Sequence, residues 1–213
     1  MKIRTRDELF DRLDKEMAWR TKEISDYVLL VRSATGSSER SLIRGGVALA
    51  YAHLEGFVKI AGELYLSFIE SRRLKFNQLI ECFFALAVKK HIGQIYGSNS
   101  YESNSKTVAE ILIIGEKRAT FNLQKSIDTE SNLKYNVFQN IIFSVGFDEV
   151  RYQEFRDFMD EELLSRRNKI AHGEFLLITD SEFQRIVGRV VEVMRLFKND
   201  IENASITEAY RQA

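Results

Sequence analysis

The sequence predicts an all-α protein, and three observations support this. The chain has 213 residues and no proline, whereas average usage would give roughly 10 prolines in this length. Proline interrupts helices and sets turns, so a chain without it can run long helices through short connections. Apolar residues recur at three- and four-residue steps over long stretches. Two segments, 5–8 and 179–182, have the Ser/Thr-x-x-Glu form of a helix capping box.

The first half of the chain contains two long predicted helices. One follows the capping box at Thr5 and runs to about residue 33. A short connection at 34–38 leads to the second, predicted over about 39–71 with Ser38 as its cap. Gly45 and Gly46 lie inside this second helix, where each costs about 1 kcal/mol relative to alanine. Their presence predicts either a close helix contact or a local bend.

The region 74–146 is predicted to be a partly helical insertion. Residues 77–92 are apolar nearly all round and predict a buried helix. The stretch 97–106 is the most polar of the chain and is predicted to be a loop, while 107–127 is compatible with a helix or a strand. Residues 132–145 predict a helix closed by Gly146 in the left-handed conformation.

The C-terminal part predicts two more long helices. One covers 152–172 and ends at Gly173, and the last begins at the second capping box after the apolar run 175–178. Together these predictions give a single all-α domain over 1–213, which is a bundle of four long helices with the insertion at about 74–146.

Composition excludes several classes of function. Thirty-one basic and 31 acidic residues give zero formal charge, so this is not a polybasic protein that coats nucleic acid. The N-terminus is charged where a secretory signal is apolar, and the longest apolar run, 82–88, is far below the roughly 18 residues of a membrane helix. We therefore expect a soluble cytoplasmic protein with a buried free thiol at Cys82. One Cys and three widely spaced His match no metal-ligand pattern, and we expect no metal and no cofactor.

One segment stands apart chemically, the string RRNKIAHGE at 166–174. It places three cations, an amide and an imidazole within seven residues: Arg166, Arg167, Asn168, Lys169 and His172. Asn168 and His172 are four apart and share a helix face. Arg167 and His172 are five apart, about 140° around a regular helix. They can meet through the length of the arginine, through a distorted helix end, or through a second subunit.

An arginine and a histidine together suit phosphate chemistry without a metal. The guanidinium can hold a phosphate in a bidentate fork at any working pH. The imidazole can take and return protons near neutrality. The simpler alternative is a basic helix C-terminus that interacts with the helix dipole, worth about 0.3–1 kcal/mol.

Residues 167–172 also resemble a known superfamily. The pattern Arg167-Asn168-x-x-x-His172 is similar to the R-x4–6-H motif of HEPN domains, which are all-α modules. The longer string RRNKIAHGE resembles the MAE-type subgroup of HEPN-like nucleases, as does YAHLEGFVK at 51–59 in the second helix. The helix order over 5–203 agrees with this resemblance, although only these two segments are specific.

The resemblance implies a metal-independent endoribonuclease. The RNA 2′-hydroxyl would attack the adjacent phosphate, leaving a cyclic phosphate and a free 5′-hydroxyl. His172 would be the general base or acid, Arg167 would stabilise charge on the phosphoryl oxygens, and Asn168 would orient the phosphate or His172. Such nucleases usually place two motifs face to face in a homodimer and often act in toxin–antitoxin or phage-defence systems, which implies RNA, a second copy and an antitoxin as partners.

The resemblance further suggests that Glu55 and Lys59 line the cleft near the motif. The alternative is an exposed i,i+4 ion pair worth about 0.3–0.5 kcal/mol. Arg166 and Lys169 are candidate RNA contacts, and the basic cluster at 72–75 is a second candidate phosphate track.

Two other functions remain open from the sequence. One is a non-catalytic HEPN-type binding module that pairs with a nucleotidyltransferase or another partner, and the other is a structural bundle in which the motif is accidental. An intact Arg167 and His172 pair favours the enzyme, because an adaptor does not need both.

Overall fold

The computed structural model of the chain describes residues 2–212, and at position 124 the backbone alone. Within this range every regular element is helical, and two isolated β-bridges, Lys75–Arg118 and Leu79–Arg211, are the only pairing of extended backbone. The α-helices are α1 (Arg6–Ser33), α2 (Gly36–Ser71), α3 (Glu81–Tyr96), α4 (Tyr101–Gly115), α5 (Leu123–Ser126), α6 (Tyr135–Ser144), α7 (Ser165–Ala171) and α8 (Asp180–Thr207). The all-α class is confirmed. None of these helices combines the length and apolar character needed to cross a membrane.

The core forms around α2, which packs against α1, α7 and α8. Both predicted capping boxes are present, with the Thr5 and Thr179 hydroxyls accepting from the backbone amides of Glu8 and Glu182. The prediction that Ser38 caps the second helix was wrong. The helix begins at Gly36, because Thr35 already has the extended backbone of a cap residue, and Ser38 lies in the first turn.

The two glycines of α2 mark a close helix contact. A Cβ on Gly46 would overlap the ring of Phe183 at the start of α8 and the ring of Tyr27 on α1. Of the two alternatives predicted for this pair, the close approach is therefore the one realised at Gly46.

The insertion is more helical than its polarity predicts. The loop predicted at 97–106 was wrong beyond residue 100, because α4 begins at Tyr101 with the Ser100 hydroxyl accepting from the amide of Ser103. α4 packs on α3, and nearly all of its residues, polar and apolar, are at least partly exposed; only Thr107 and Gly115 are buried. The polarity at its start therefore reports exposure rather than a loop. The open question at 107–127 resolves into the end of α4 and the short α5. Gly146 follows the end of α6 with φ +77°, which is the left-handed conformation that was predicted.

The segment 152–172, which was predicted to be one helix, is helical but changes its type of helix along its length. A 3-10 segment covers Glu149–Phe155, a π-helix covers Phe158–Leu164, and α7 (Ser165–Ala171) is the one stretch of regular α-helix longer than a turn in this part of the chain. Inside the π-helix the Asp160 carboxylate accepts from the backbone amide of Tyr135, the first residue of α6. The π-helix, a rare geometry that occurs often at functional sites, leads directly into α7.

We expect Gly46→Ala to lower the free energy of unfolding by about 1–3 kcal/mol, because the added methyl overlaps the buried Phe183 ring. Gly188→Ala, on the exposed side of α8 with open space around it, is the matched control and should raise stability by up to about 1 kcal/mol. Urea denaturation measures both. Equal effects of the two substitutions would contradict the close contact.

Candidate functional site

The Arg167 side chain lies where three segments meet, namely α2, α7 and the loop between α5 and α6. Its Nη1 donates to the Asn132 side-chain oxygen at 2.8 Å and to the Asn168 side-chain oxygen at 2.9 Å. The guanidinium carbon is 4.8 Å from the centroid of the Tyr51 ring on α2, a cation–π distance. Arg167 is therefore anchored by two amides and one aromatic ring.

Tyr51 forms the floor under this arginine. It is only 2% exposed, and its hydroxyl accepts from the backbone amide of Leu133 at 2.7 Å. Burial raises the pKa of Tyr51 to about 12, helped by the nearby Glu55 carboxylate and opposed by the Leu133 bond and the Arg167 charge. The phenol stays neutral at physiological pH, so the floor does not neutralise Arg167.

The two adjacent arginines of the motif have different partners. Arg166 forms an ion pair with Glu182 at 2.7 Å, which ties α7 to the first turn of α8. Arg167 has no carboxylate within ion-pair distance among residues 2–212, since its recorded partners are amides and a ring. Arg167 thus keeps a net positive charge that a phosphate can use, whereas Arg166 has a structural partner.

His172 lies at the end of α7 and faces solvent. The next residue, Gly173, has φ +75°; its amide donates to Ile170 and the Glu174 amide donates to Lys169. This is the Schellman ending, which needs a residue that tolerates positive φ. The His172 imidazole is exposed and has no side-chain bond in the described part of the chain, so it is open to a ligand.

The predicted motif residues therefore separate into two groups. Arg167 and Asn168 are joined directly, and Arg166 is paired on the α8 side. Lys169 is exposed, and no hydrogen bond joins the side chains of Arg167 and His172 within the described residues. α7 is a regular α-helix, so the five-residue spacing turns the two side chains about 140° apart.

The two candidates on α2 are placed differently. Glu55 is half-buried next to the Tyr51 hydroxyl, close to the Arg167 anchor. Lys59 is exposed, and the alternative Glu55–Lys59 ion pair is not formed in the described structure. Eight residues separate Lys59 from Tyr51, about 12 Å along the helix axis. A cleft role for Lys59 stays a prediction.

Asn132 was not predicted as a site residue. It precedes α6 and lies 35 positions from Arg167 in the sequence, and nothing in its local pattern distinguishes it from other loop asparagines. Tyr51 belongs to the segment that carries the family resemblance, but it was not predicted as a site residue. Both residues became visible through tertiary contacts.

The remaining chemistry-bearing side chains lie elsewhere. His53 faces α1, 2.9 Å from the Glu23 carboxylate and edge-on to the Trp19 ring, and burial lowers its pKa. Residues 2–212 contain no group of three or more His, Cys, Asp or Glu side chains arranged to hold a metal ion.

Comparison with known proteins adds one finding. The model of the RiboL-PSP-HEPN family matches residues 15–203, most of the chain. This match shows the HEPN superfamily, while the MAE-type subgroup stays a prediction. No curated protein and no solved structure shows significant similarity to the chain.

The stabilisation that Glu182 contributes through its contacts with Arg166 and Thr179 depends on pH. The Thr179 amide and the Arg166 guanidinium lower the pKa of Glu182 from 4.5 to about 2. A lowered folded-state pKa means that the stabilisation is complete above the unfolded-state pKa and is lost as pH falls toward the folded value. We expect Glu182→Gln to destabilise the protein more at pH 7 than at pH 3 in urea denaturation. Glu174→Gln, at an exposed position, is the control; an equal Glu182→Gln effect at both pH values would contradict the assignment.

Proposed function

Because the chain belongs to the RiboL-PSP-HEPN family, we propose that it is an endoribonuclease that cleaves RNA without a metal at the Arg167 and His172 site. The observation that supports this most is the unneutralised Arg167, anchored by amides on a neutral aromatic floor and followed by an exposed histidine at the end of the same helix.

The proposed reaction is an internal transfer within the RNA. The 2′-oxygen bonds to the adjacent phosphorus, and the bond from phosphorus to the 5′-oxygen breaks. The proton of the 2′-hydroxyl goes to a base, and the leaving 5′-oxygen receives a proton. The products are a 2′,3′-cyclic phosphate and a 5′-hydroxyl, and His172 performs one or both proton transfers.

Arg167 supplies electrostatic stabilisation in this proposal. Its Nη1 is committed to Asn132 and Asn168, which leaves Nη2 and Nε to donate to the non-bridging phosphoryl oxygens. The amide nitrogen of Asn168 is on the same side chain as the oxygen that holds Arg167, so Asn168 can donate to the phosphate as well. Lys169 adds positive charge along α7, whereas the charge of Arg166 is paired with Glu182.

We propose that a homodimer completes the site. The divergence of Arg167 and His172 on a regular α7 means that one copy alone presents them in different directions. Just after His172, Phe175 and Leu177 are 83% and 62% exposed. Exposed apolar side chains beside a polar site are typical of a protein interface. A toxin or phage-defence role, with an antitoxin partner, rests on the HEPN resemblance alone.

The direct test is cleavage of mixed RNAs in EDTA, with analysis of the ends. We expect 2′,3′-cyclic ends, a loss of about 10²–10⁴-fold for His172→Ala and of about 10²–10³-fold for Arg167→Ala. Arg40→Ala, an exposed arginine on α2, is the control and should leave the rate unchanged. Unchanged cleavage by folded His172→Ala would refute the mechanism, and absence of cleavage by the wild type would favour a binding module.

A second experiment tests the charge on Arg167. Asn132→Ala removes one amide partner, whereas Asn132→Asp keeps the hydrogen bond and adds a carboxylate that neutralises the guanidinium. We expect Asn132→Asp to be the more stable of the two in thermal unfolding and yet the slower in kcat. If Asn132→Asp cleaves as fast as Asn132→Ala, the unneutralised charge is not what the reaction uses.

A further inference from the structure

A basic pocket lies at the C-terminal end of α2, far from Arg167. Three segments form it: residues 2–4 before α1, the last turn of α2 with the residues that follow, and residue 118 after α4. The charged side chains that line it are Lys2, Arg4, Glu70, Arg73 and Arg118. Its volume of about 410 Å³ lies within the range of small-molecule sites. We call it the α2-end pocket.

Backbone contacts hold the walls of this pocket in place. The amide of Ile3 donates to the Ser67 hydroxyl at 3.1 Å, which fixes the N-terminal segment on α2. The amide of Ala119 donates to the Leu74 carbonyl at 2.8 Å, which fixes the segment after α4. Arg118 also reaches the Glu70 carbonyl through Nη2 at 3.3 Å. The pocket is thus a fixed feature of the fold.

Four cations and one carboxylate face this space, and the cations lack carboxylate partners. Among residues 2–212, Lys2, Arg4, Arg73 and Arg118 form no ion pair. The neighbouring Lys75, by contrast, pairs with Glu116 at 2.9 Å. A chain with zero net charge therefore concentrates unneutralised positive charge in one concave site, where an anion would relieve the mutual repulsion.

Arg73 adopts a backbone conformation that favours glycine. Its φ is +59°, directly after the end of α2, at a position where glycine or asparagine usually closes a helix. An arginine there carries backbone strain, as does Glu208 at the end of α8, where φ is +55°. The chain keeps a guanidinium at the pocket in spite of this strain.

We propose that the α2-end pocket binds a phosphate group, either of a free phosphorylated nucleotide or of an RNA backbone. Arg73 and Arg118 supply planar forks for the phosphate oxygens, and Lys2 and Arg4 supply further charge. Ser71 at this end of α2 is 20 residues from Tyr51, about 30 Å along the axis. The pocket is therefore separate from the Arg167 site, and this proposal stands whether or not the chain cleaves RNA.

The test measures binding to the full chain in His172→Ala, which keeps RNA intact. Titration calorimetry with inorganic phosphate and with 5′-AMP, and anisotropy with labelled single-stranded RNA across salt concentrations, cover both sources. We expect Arg118→Gln and Arg73→Gly each to weaken phosphate binding about tenfold. Arg73→Gly should also raise the Tm, because glycine relieves the positive φ, and a merely structural role of Arg73 would not lower affinity while stability rises.

Arg40→Gln, at an exposed cation outside the pocket, removes one positive charge as each pocket variant does; it is the charge-matched control and should bind as the parent does. If the pocket variants weaken RNA binding and reduce its salt dependence, the ligand is the RNA backbone. If they weaken only 5′-AMP and phosphate binding, the ligand is a free phosphorylated nucleotide. If they change the binding of none of these ligands relative to the control, the proposal is overturned.

Discussion

The contact between Tyr51 and Arg167 joins the parts of the molecule on which the site depends. Tyr51 belongs to the central helix, Arg167 to α7, and both hold the loop before α6, through Leu133 and Asn132 respectively. Asp160 holds the next residues of the same stretch through the Tyr135 amide. The insertion is thereby fixed against the bundle at the place where the motif lies. A change in any one of these contacts would move the arginine and the loop together.

The distribution of paired and unpaired cations separates structural from functional charge. Arg166 has a carboxylate, and so has Arg151, whose ion pair with Asp200 supports a buried Tyr152 hydroxyl bond. Such pairs hold helices in register and leave little net field. Among residues 2–212, cations without a carboxylate partner include the four that line the α2-end pocket and Arg167. Zero net charge in this chain thus describes balance over the whole surface and is compatible with local clusters of positive charge.

Much of the fold follows from the sequence, because amphipathic periodicity and capping boxes report local physics. The bounds of α1, the C-terminal end of α2 and the start of α8 were predictable from such signals, and so was the left-handed Gly146. The π-helix was not predictable, because a pattern of apolar positions does not reveal the hydrogen-bond register of a helical turn. The bond between Asp160 of this segment and the Tyr135 amide joins positions 25 apart and was not visible in the sequence either. At the site, Arg167, Asn168 and His172 were visible as a motif, whereas Asn132 required a contact across 35 positions.

The π-helix also bears on how the motif is aimed. A π turn closes its hydrogen bonds one residue later than an α turn, so it is an α-helix carrying an added residue. If all the residues of Phe158–Leu164 were wound as a regular α-helix instead, the added residue would rotate α7 by about 100°. Arg167 would then leave the Tyr51 ring with its own helix intact. The orientation of the motif thus depends on the hydrogen-bond register of the preceding segment, and a relative with a regular α-helix there could keep every motif residue and still point them elsewhere.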